Sequence, residues 1–279
     1  MSRVLMAGVL CGILGLAGCA RRGTFAQGGA PVVRVVGTQE RDGVSVQDVE
    51  YPGAGGETVQ AYLVLPAGGR RGPGVVYAHY APGDRTTYLD EAVMLGRRGV
   101  ASLVLSAPWS KREFWLPLFR DAAADHQTYV QVVAGLRRAV DVLDARPEVE
   151  GIGYVGHSFG ASFGGILAAV EPRVRATVLI AGPPSFTDIA VINNPALTGE
   201  ARTRYAMTMA PYDPVSVVGR VRRPLFFQLP RQDQLFSSEQ LLRYSAAALE
   251  PEVRWYDGDH SLKSTQARDE RIEWLLQKL

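Results

Sequence analysis

Cysteine is scarce in this sequence, since only Cys11 and Cys19 occur and both lie within the first 19 residues. The rest of the chain therefore offers no disulfide framework, no thiolate metal site and no cysteine nucleophile. A large excess of charge of one sign is also lacking, because 30 Lys and Arg residues face 28 Asp and Glu residues and leave a formal net charge of +2. That balance cannot supply the dense basic surface that nucleic acids require, so we expect no nucleic-acid partner.

The composition is that of a folded globular protein. Hydrophobic residues make up 47% of the 279 residues and charged residues 21%, which excludes a disordered chain, a collagen-like chain and a multi-span membrane protein. We therefore expect one large domain, which we place at residues 41–279.

The first segment has the pattern of a targeting signal. Arg3 precedes an uncharged apolar run over residues 4–18, which is shorter than the roughly 20 residues that span a bilayer and is typical of a signal peptide. The run ends in Leu16-Ala17-Gly18-Cys19, which resembles the lipobox of bacterial lipoproteins. The resemblance implies that residues 1–18 are removed and that Cys19 is lipidated. An ordinary secretory cleavage site that happens to contain a cysteine is the alternative.

The segment at 19–40 is predicted to be the lipidated cysteine and a flexible tether, because residues 20–31 contain few apolar side chains and show no periodicity. With a lipid on Cys19, the membrane becomes a partner and the bacterial cell envelope the expected location. Ala20 follows the cysteine in place of Asp. In a Gram-negative cell this departure from the retention signal points to the periplasmic side of the outer membrane.

Strands and helices alternate through the body of the chain. Three runs at 32–36, 44–51 and 58–65 suggest an antiparallel opening, and later short runs are apolar on both faces, as in buried parallel strands: 75–78, 100–105, 152–155, 176–180, 225–229 and the weaker 253–256. An apolar stripe at helical spacing predicts a helix over 127–143. The pattern predicts an α/β protein with a mostly parallel, doubly wound sheet. The stretch 183–223 exceeds a simple crossover and leaves room for a small lid.

A nucleophile motif lies at the end of the predicted strand 152–155. Gly156-His157-Ser158-Phe159-Gly160 follows that strand and precedes a helix of small residues, which is typical of a nucleophile elbow. The serine then occupies a strained turn, in which side chains at the two glycine positions would collide with backbone. An overlapping match, Gly160-Ala161-Ser162-Phe163-Gly164, lies one turn further into the helix, so the strand end selects Ser158.

A serine hydroxyl needs a base to remove its proton, and in this arrangement the acid and the histidine follow the serine in the chain. Of the four histidines, His79 and His126 precede the motif and His157 lies within it, so His260 is the predicted base.

The third member should be a carboxylate that fixes the tautomer of the imidazole. Asp233 is predicted, because it follows the strand 225–229 at the same edge of the sheet, and Asp213 remains a substitute. Asp213 also precedes Pro214, which is the pattern of a helix N-cap followed by proline at the first helical position.

Two backbone N–H groups should stabilise a developing oxyanion. One belongs to Phe159, directly after the nucleophile, and the other to the loop after strand 75–78. That loop reads His79-Tyr80-Ala81-Pro82-Gly83, in which proline cannot donate, so Tyr80 or Ala81 is predicted as the second donor. His79 is expected to order the loop by hydrogen bonding.

Together these residues resemble the α/β-hydrolase superfamily, in its dienelactone-hydrolase-like and prolyl-oligopeptidase-like branch, over residues 44–279. Members of that branch hydrolyse esters, lactones or peptides without a cofactor, so the resemblance implies an α/β-hydrolase fold and a hydrolase that needs neither cofactor nor metal. True dienelactone hydrolases use cysteine, and Ser158 therefore favours esterase or peptidase chemistry. Leu229-Pro230 stands where the branch usually has a His-Gly pair.

The sequence thus predicts a serine hydrolase that cleaves small-molecule carboxylic esters through an acyl-enzyme. A serine peptidase of the same fold and a non-catalytic, envelope-binding lipoprotein are the alternatives. Trp109 and Trp115 follow strand 100–105 near the same edge and are predicted to form a substrate pocket. Three arginines are close enough in sequence to act as a charged clamp for a substrate: Arg85, Arg112 and Arg231.

Overall fold

The structure is a computed structural model that describes residues 30–69 and 71–279. The predicted signal peptide, Cys19 and the first part of the predicted tether lie outside the described residues. Within those residues, no helix combines the length and the apolar character needed to cross a bilayer.

The described residues form one mixed sheet of nine strands, in the order β1-β2-β3-β5-β4-β6-β7-β8-β9. The strands are β1 (Arg34–Arg41), β2 (Val44–Pro52), β3 (Thr58–Leu65), β4 (Gly72–Ala78), β5 (Ala101–Leu105), β6 (Val149–His157), β7 (Val174–Ile180), β8 (Leu225–Pro230) and β9 (Glu252–Tyr256). Pairings from β1 to β3 and between β3 and β5 are antiparallel, and all others are parallel. The predicted α/β class, with a mostly parallel sheet and an antiparallel N-terminal part, is confirmed.

The first strand corrects the predicted domain boundary. Because β1 begins at Arg34 and pairs with β2 along its length, residues 34–40 belong to the sheet rather than to the predicted tether at 19–40. The β-branched residues near its start favour an extended backbone that can pair in this way. The domain therefore extends beyond the predicted start at residue 41.

Helices cover both faces of the sheet in the described part of the chain. They are α1 (Leu89–Gly96), α2 (Arg112–Trp115), α3 (Ala122–Asp144), α4 (Phe159–Val170), α5 (Phe186–Asn193), α6 (Gly199–Met209), α7 (Pro214–Val217), α8 (Ser238–Ala246) and α9 (Thr265–Lys278). Buried side chains of α1 and α9 share one core cluster, whereas those of α3, α4, α6 and α8 share the other. Strands apolar on both sides, such as β5, can therefore be buried completely.

The helix predicted over 127–143 begins five residues earlier than expected, at Ala122. The carboxylate of Asp121 accepts hydrogen bonds from the N–H groups of Ala123 and Ala124, at 2.8 and 3.0 Å, and so caps α3. A side-chain cap of this kind satisfies N–H groups that the first turn leaves without partners. The apolar stripe that predicts this helix starts only after a first turn of three alanines and Asp125.

The segment at 183–223 folds as the three short helices α5, α6 and α7 between β7 and β8. Asp213 occupies the predicted N-cap position before Pro214, but its side chain makes no cap bond to α7. Instead, its carboxylate accepts from the N–H of Phe186, 2.8 Å away at the start of α5. The segment thus closes on itself through a buried carboxyl group.

The order of the strands places the topological switch point of the sheet at the carboxyl ends of β4 and β6. The chain leaves β4 toward β5 on one side, and it leaves β6 toward β7 on the other side. Such a switch point opens a crevice between the two diverging loops. Ala78 and Gly156 lie opposite each other at this point, so the loop carrying Tyr80 and the elbow carrying Ser158 begin side by side.

Candidate active site

Ser158 lies in the sharp turn that joins β6 to α4. Its φ of 54° and ψ of −114° are strained for a residue with a side chain, and such conformations cost of order 1–3 kcal/mol each. A Cβ at Gly156 would lie 2.3 Å from the carbonyl oxygen of Gly160, and a Cβ at Gly160 would lie 2.4 Å from that of Ala78. Glycine at both positions therefore lets the backbone pack closely enough to hold the turn.

His260 lies directly beside this serine. Its Nε2 is 2.8 Å from the Oγ of Ser158, although the two residues are 102 positions apart. Its Nδ1 is 2.7 Å from the Oδ2 of Asp233. A carboxylate oxygen only accepts, so Nδ1–H donates to Asp233 and leaves the Nε2 lone pair to accept from the serine hydroxyl.

Asp233 reaches the imidazole because its loop is fixed at both ends. Its Oδ1 accepts from the N–H groups of Leu235 and Phe236, at 2.8 and 3.0 Å. The N–H of Gln232 donates to the carbonyl of Gly258 at 3.0 Å and joins this loop to the loop of His260. Only 2% of the Asp233 side chain and 7% of the His260 side chain are exposed, so water screens this pair weakly.

The alternative acid, Asp213, does not approach His260. Its carboxylate is committed to the N–H of Phe186, as described above, and burial raises its pKa to about 7. Of the two carboxylates considered from the sequence, the structure brings Asp233 to the histidine. Pro230 ends β8 three residues earlier, and the changed Leu229-Pro230 pair does not prevent this contact.

The predicted oxyanion donors lie at the two sides of the crevice. Phe159 is the first residue of α4, where no preceding carbonyl of the helix can accept from its N–H. Within the described residues, no backbone carbonyl accepts a hydrogen bond from the N–H of Tyr80 or of Ala81. Phe159 and one of these two residues therefore stay the predicted oxyanion donors, and the choice between Tyr80 and Ala81 stays open.

His79 orders the loop of Tyr80, as the sequence analysis expected. Its Nδ1–H donates to the carbonyl of Tyr80 at 2.7 Å, and its Nε2 accepts from the N–H of Ala107 at 3.0 Å. Its own carbonyl accepts from the indole N–H of Trp109 at 3.0 Å. Burial lowers the pKa of His79, which keeps the imidazole neutral and able to accept at Nε2.

The two tryptophans predicted for the substrate pocket differ in exposure. Trp109 is 1% exposed and packs against the rings of Phe159 and Phe163. It is therefore part of the core next to the elbow and has almost no surface open to a substrate. Trp115 is half-buried, lies 5.2 Å from the ring of Phe159, and donates its indole N–H to the carbonyl of Trp109 at 2.9 Å.

Two of the three arginines considered as a clamp already have partners. Arg85 forms a two-point ion pair with Asp48, and its guanidinium lies 4.4 Å from the ring of Tyr62. Arg231 pairs with Asp257 at 3.5 Å, and Arg112 is exposed. Among the described residues, no group of three or more His, Cys, Asp or Glu side chains is arranged to hold a metal ion.

Sequence reasoning assigned no role to His157. The structure buries its imidazole between the hydroxyl of Tyr88 and the carbonyl of His260. Burial, followed by the charge that His260 can carry, lowers the pKa of His157 to about 3. No sequence signal identifies this contact, because Tyr88 precedes His157 by 69 positions and His260 follows it by 103.

A family model described as "BAAT / Acyl-CoA thioester hydrolase C terminal" matches residues 136–222, which include the elbow but span less than a third of the chain. No curated protein matches the chain. Similarity to solved structures is much broader, although the sequences have diverged.

An acetyl xylan esterase from Paenibacillus sp. R4 superposes with a TM-score of 0.75 at 18% identity, over 96% of this chain and 92% of that one. Acetyl xylan esterase 1 from Thermoanaerobacterium sp. JW/SL YS485 gives 0.71 at 15% identity, over 88% of each chain. A cold-adapted esterase from an Arctic intertidal metagenomic library gives 0.65 at 18% identity, over 87% of this chain and 97% of that one. The mixed nine-stranded sheet and these similarities establish that the chain has the α/β-hydrolase fold.

Proposed function

We propose that this chain is a serine hydrolase that cleaves carboxylic esters, with Ser158 as nucleophile, His260 as general base and Asp233 as the carboxylate that orients the base. The observation that carries the proposal is the continuous chain of contacts from Ser158 Oγ through His260 to Asp233 Oδ2, at 2.8 and 2.7 Å. These three groups come from the loops after β6, β9 and β8. Their meeting at a strained turn suits nucleophilic catalysis.

In the acylation step, the Oγ of Ser158 attacks the ester carbonyl carbon while its proton passes to Nε2 of His260. The new C–O bond places a negative charge on the carbonyl oxygen, which Phe159 N–H and the N–H of Tyr80 or Ala81 stabilise. Each such donor is worth on the order of 3 kcal/mol in the barrier. The ester C–O bond then breaks, and the imidazolium returns the proton to the departing alkoxide, which leaves as an alcohol.

In the deacylation step, a water molecule takes the place of the alcohol. His260 removes a proton from the water as its oxygen attacks the acyl carbon, and the same two N–H groups stabilise the second tetrahedral intermediate. The bond to Ser158 Oγ breaks, the serine recovers a proton from His260, and a carboxylic acid leaves. Asp233 stays ionised throughout and stabilises the imidazolium.

Esters are the substrate class that we favour over amides. The three structural neighbours reported above are esterases, and the family that matches residues 136–222 is a thioester hydrolase family. Half-buried aromatic side chains that pack against Phe159, namely Trp115 and Phe114, offer apolar contacts rather than a fixed charge. We therefore expect an uncharged acyl group to bind next to Ser158.

A fluorophosphonate probe tests the mechanism directly. The wild-type protein should form one covalent adduct, which the Ser158→Ala variant should lose and the matched Ser162→Ala variant should keep. A wild-type protein that forms no adduct, or an adduct that survives Ser158→Ala, would contradict the proposal and favour a non-catalytic binding protein.

A substrate panel then separates the hydrolase classes. p-Nitrophenyl esters of increasing acyl length, an acyl thioester and aminoacyl-nitroanilides are compared on the same titrated enzyme. Preferential turnover of the esters is expected, whereas efficient cleavage of the anilides would identify a peptidase of the same fold.

We also propose that lipid on Cys19 attaches the protein to the bacterial envelope. Two buried acyl chains anchor a protein stably where one binds only marginally. Cys19→Ala should release the protein from the membrane fraction, whereas Cys11→Ala, which changes the other cysteine, should leave it bound. Unchanged fractionation of Cys19→Ala would contradict lipidation without affecting the hydrolase proposal.

A further inference from the structure

The imidazole of His157 joins two loops of the site without contacting the Oγ of Ser158. Its Nε2 is 2.8 Å from the carbonyl oxygen of His260, and its Nδ1 is 2.8 Å from the hydroxyl of Tyr88. A carbonyl oxygen only accepts, so the Nε2–H donates to His260 and the Nδ1 lone pair accepts from Tyr88. The carbonyl of His260 therefore fixes the tautomer of His157, and the hydroxyl of Tyr88 donates to the Nδ1 lone pair of that tautomer.

The side chain of Tyr88 is fixed by its contacts with other buried side chains. It is 7% exposed, its ring stacks on that of Tyr77 at 5.4 Å, and the guanidinium of Arg271 lies 5.7 Å from its centre. Arg271 forms a buried ion pair with Glu91, which also accepts from the Tyr77 hydroxyl at 3.2 Å. A side chain fixed in this way can impose its orientation on His157.

The N–H of His260 makes a weaker hydrogen bond than the carbonyl of the same residue. The N–H of His260 donates to the side-chain oxygen of Gln234 at 3.2 Å, and Gln234 is exposed. The contact with His157 is shorter and buried, and low surrounding polarity strengthens a hydrogen bond. Of the two hydrogen bonds that the backbone of His260 itself makes, the one through its carbonyl is therefore the stronger, and it adds to the bond between Gln232 and Gly258 described above.

The contact remains available at ordinary pH. Burial and the charge that His260 can carry keep the pKa of His157 near 3, so the ring stays neutral and Nδ1 keeps its lone pair. The ring of Tyr80 packs edge-on against the same imidazole at 4.9 Å, so His157 contacts both the loop of the base and the loop of the expected oxyanion donors.

We propose that His157, oriented by Tyr88, is a positioning residue that holds the backbone of His260 so that its imidazole stays between Ser158 and Asp233. This inference rests on the proposed serine hydrolase function. Displacing a reacting group by about 1 Å can lower a rate by about a hundredfold. Loss of this contact should therefore lower kcat far more than it changes KM.

Two amide substitutions at position 157 test the contact as a matched pair. The amide of Gln reaches the position of Nε2 and can donate to the carbonyl of His260, whereas the shorter amide of Asn reaches only the position of Nδ1, beside Tyr88. We expect His157→Asn to lower kcat by about a hundredfold with KM changed by less than about threefold, and His157→Gln to recover most of the loss. Fluorophosphonate titration gives the concentration of active sites, and kcat is calculated from that concentration so that misfolded protein does not lower its value.

Tyr88→Phe provides a second variant that leaves His157 in place. Without the hydroxyl, the buried Nδ1 loses its donor, and the ring loses the contact that orients Nε2–H toward the carbonyl of His260. We expect kcat per titrated site to fall by roughly tenfold, since the ring of His157 loses one of the two hydrogen bonds that orient it. This variant decides the question if His157→Asn does not fold.

The outcomes separate this inference from the function on which it rests. Wild-type protein that neither reacts with the probe nor hydrolyses esters would end the hydrolase proposal. An active wild type, together with wild-type kcat per site in His157→Asn and Tyr88→Phe, would overturn the positioning role alone. Equal losses in the Gln and Asn variants would also overturn it, because a purely structural role predicts no difference between them.

Discussion

Two overlapping Gly-x-Ser-x-Gly pentapeptides occur four residues apart in this chain, and their serines have different environments. Ser158 has a φ of 54° at the strand-to-helix turn and its Oγ lies 2.8 Å from His260 Nε2. Ser162 lies inside α4, is fully buried, and donates its hydroxyl to the carbonyl of Pro183 at 3.0 Å. The same short pattern thus supplies one candidate nucleophile and one structural hydrogen bond.

The glycines explain part of this difference. Side chains at Gly156 and Gly160 would meet backbone carbonyl oxygens, so these two positions allow the elbow itself. A side chain at Gly164 would instead meet the rings and methyl groups of Tyr154 and Leu179, which concerns helix packing. The Gly-x-Ser-x-Gly pattern therefore forms a nucleophile elbow only where a strand ends and its two glycines face closely packed backbone.

Two buried carboxylates provide a parallel case. Asp233 accepts from His260 and two backbone N–H groups, whereas Asp213 accepts from the N–H of Phe186 in the segment after β7. Both follow the nucleophile in the chain, as the sequence order requires. Only the first belongs to a loop that meets the loop of His260.

The largest expected effect distinguishes the two serines. Ser158→Ala should lower kcat for p-nitrophenyl acetate by about 10⁶-fold, because no other group attacks the acyl carbon. Ser162→Ala should keep kcat within about threefold and lose about 1–3 kcal/mol of unfolding free energy, since the carbonyl of Pro183 loses its partner. Kinetics and urea unfolding on both variants measure this difference. Comparable activity losses would remove the distinction between the two pentapeptides.

Substitution of the two carboxylates should give the next largest effect. Asp233→Asn should lower kcat by about 10⁴-fold, because an amide no longer enforces the tautomer in which Nε2 accepts from Ser158. Asp213→Asn keeps an oxygen acceptor for Phe186 N–H and should leave kcat nearly unchanged. Steady-state kinetics near pH 8 tests the pair, and a strong activity loss in Asp213→Asn would reopen its candidacy as the acid.

Asp213 should instead influence the pH dependence of stability. Burial raises its pKa from 3.8 to about 7, so between these values the folded protein holds a proton that the unfolded chain has released. Stability from this group is therefore present at low pH and is lost as pH rises through about 7. Asp213→Asn should be more stable than wild type at pH 8, by at most about 4 kcal/mol, and the difference should shrink toward pH 4.

Urea unfolding of both proteins across this pH range measures the effect of Asp213. His157 contributes with the opposite sign, because its folded pKa lies near 3 and the folded state gains stability as pH rises toward 6.5. Since both proteins contain His157, its contribution cancels in the comparison. A difference independent of pH would contradict the buried, protonated state of Asp213.

The two glycine environments should give the smallest effect. Gly160→Ala forces the elbow away from Ala78 and should lower kcat per titrated site by about a hundredfold. Gly164→Ala crowds Tyr154 and should cost about 1–3 kcal/mol of stability with little change in kcat per site. Active-site titration combined with thermal unfolding separates the two effects. If Gly164→Ala lowered kcat per site and Gly160→Ala did not, the assignment of Gly160 to the elbow and of Gly164 to helix packing would be wrong.

Several features of the fold could be predicted from local patterns. Runs apolar on both faces predicted the central parallel strands, and the stripe on α3 predicted most of that helix. The start of α3 was missed because the cap of Asp121 precedes the stripe, and the domain boundary was missed because β1 is almost wholly exposed and resembles a polar linker. The run at 32–36 did indicate extended backbone, but the polar residues between it and Arg41 resemble a linker.

The sequence by itself determined which residue types were available: a serine between glycines after a buried strand, one histidine after it, and two later aspartates that could serve as the acid. Chain order and the known position of strand ends were enough to predict which side chains share one edge of the sheet. Only the tertiary structure decided that Asp233 rather than Asp213 meets His260, and that His157 and Tyr88 lie behind it. These contacts join residues as many as 103 positions apart, and they depend on how loops are fixed by other loops, which no local pattern encodes.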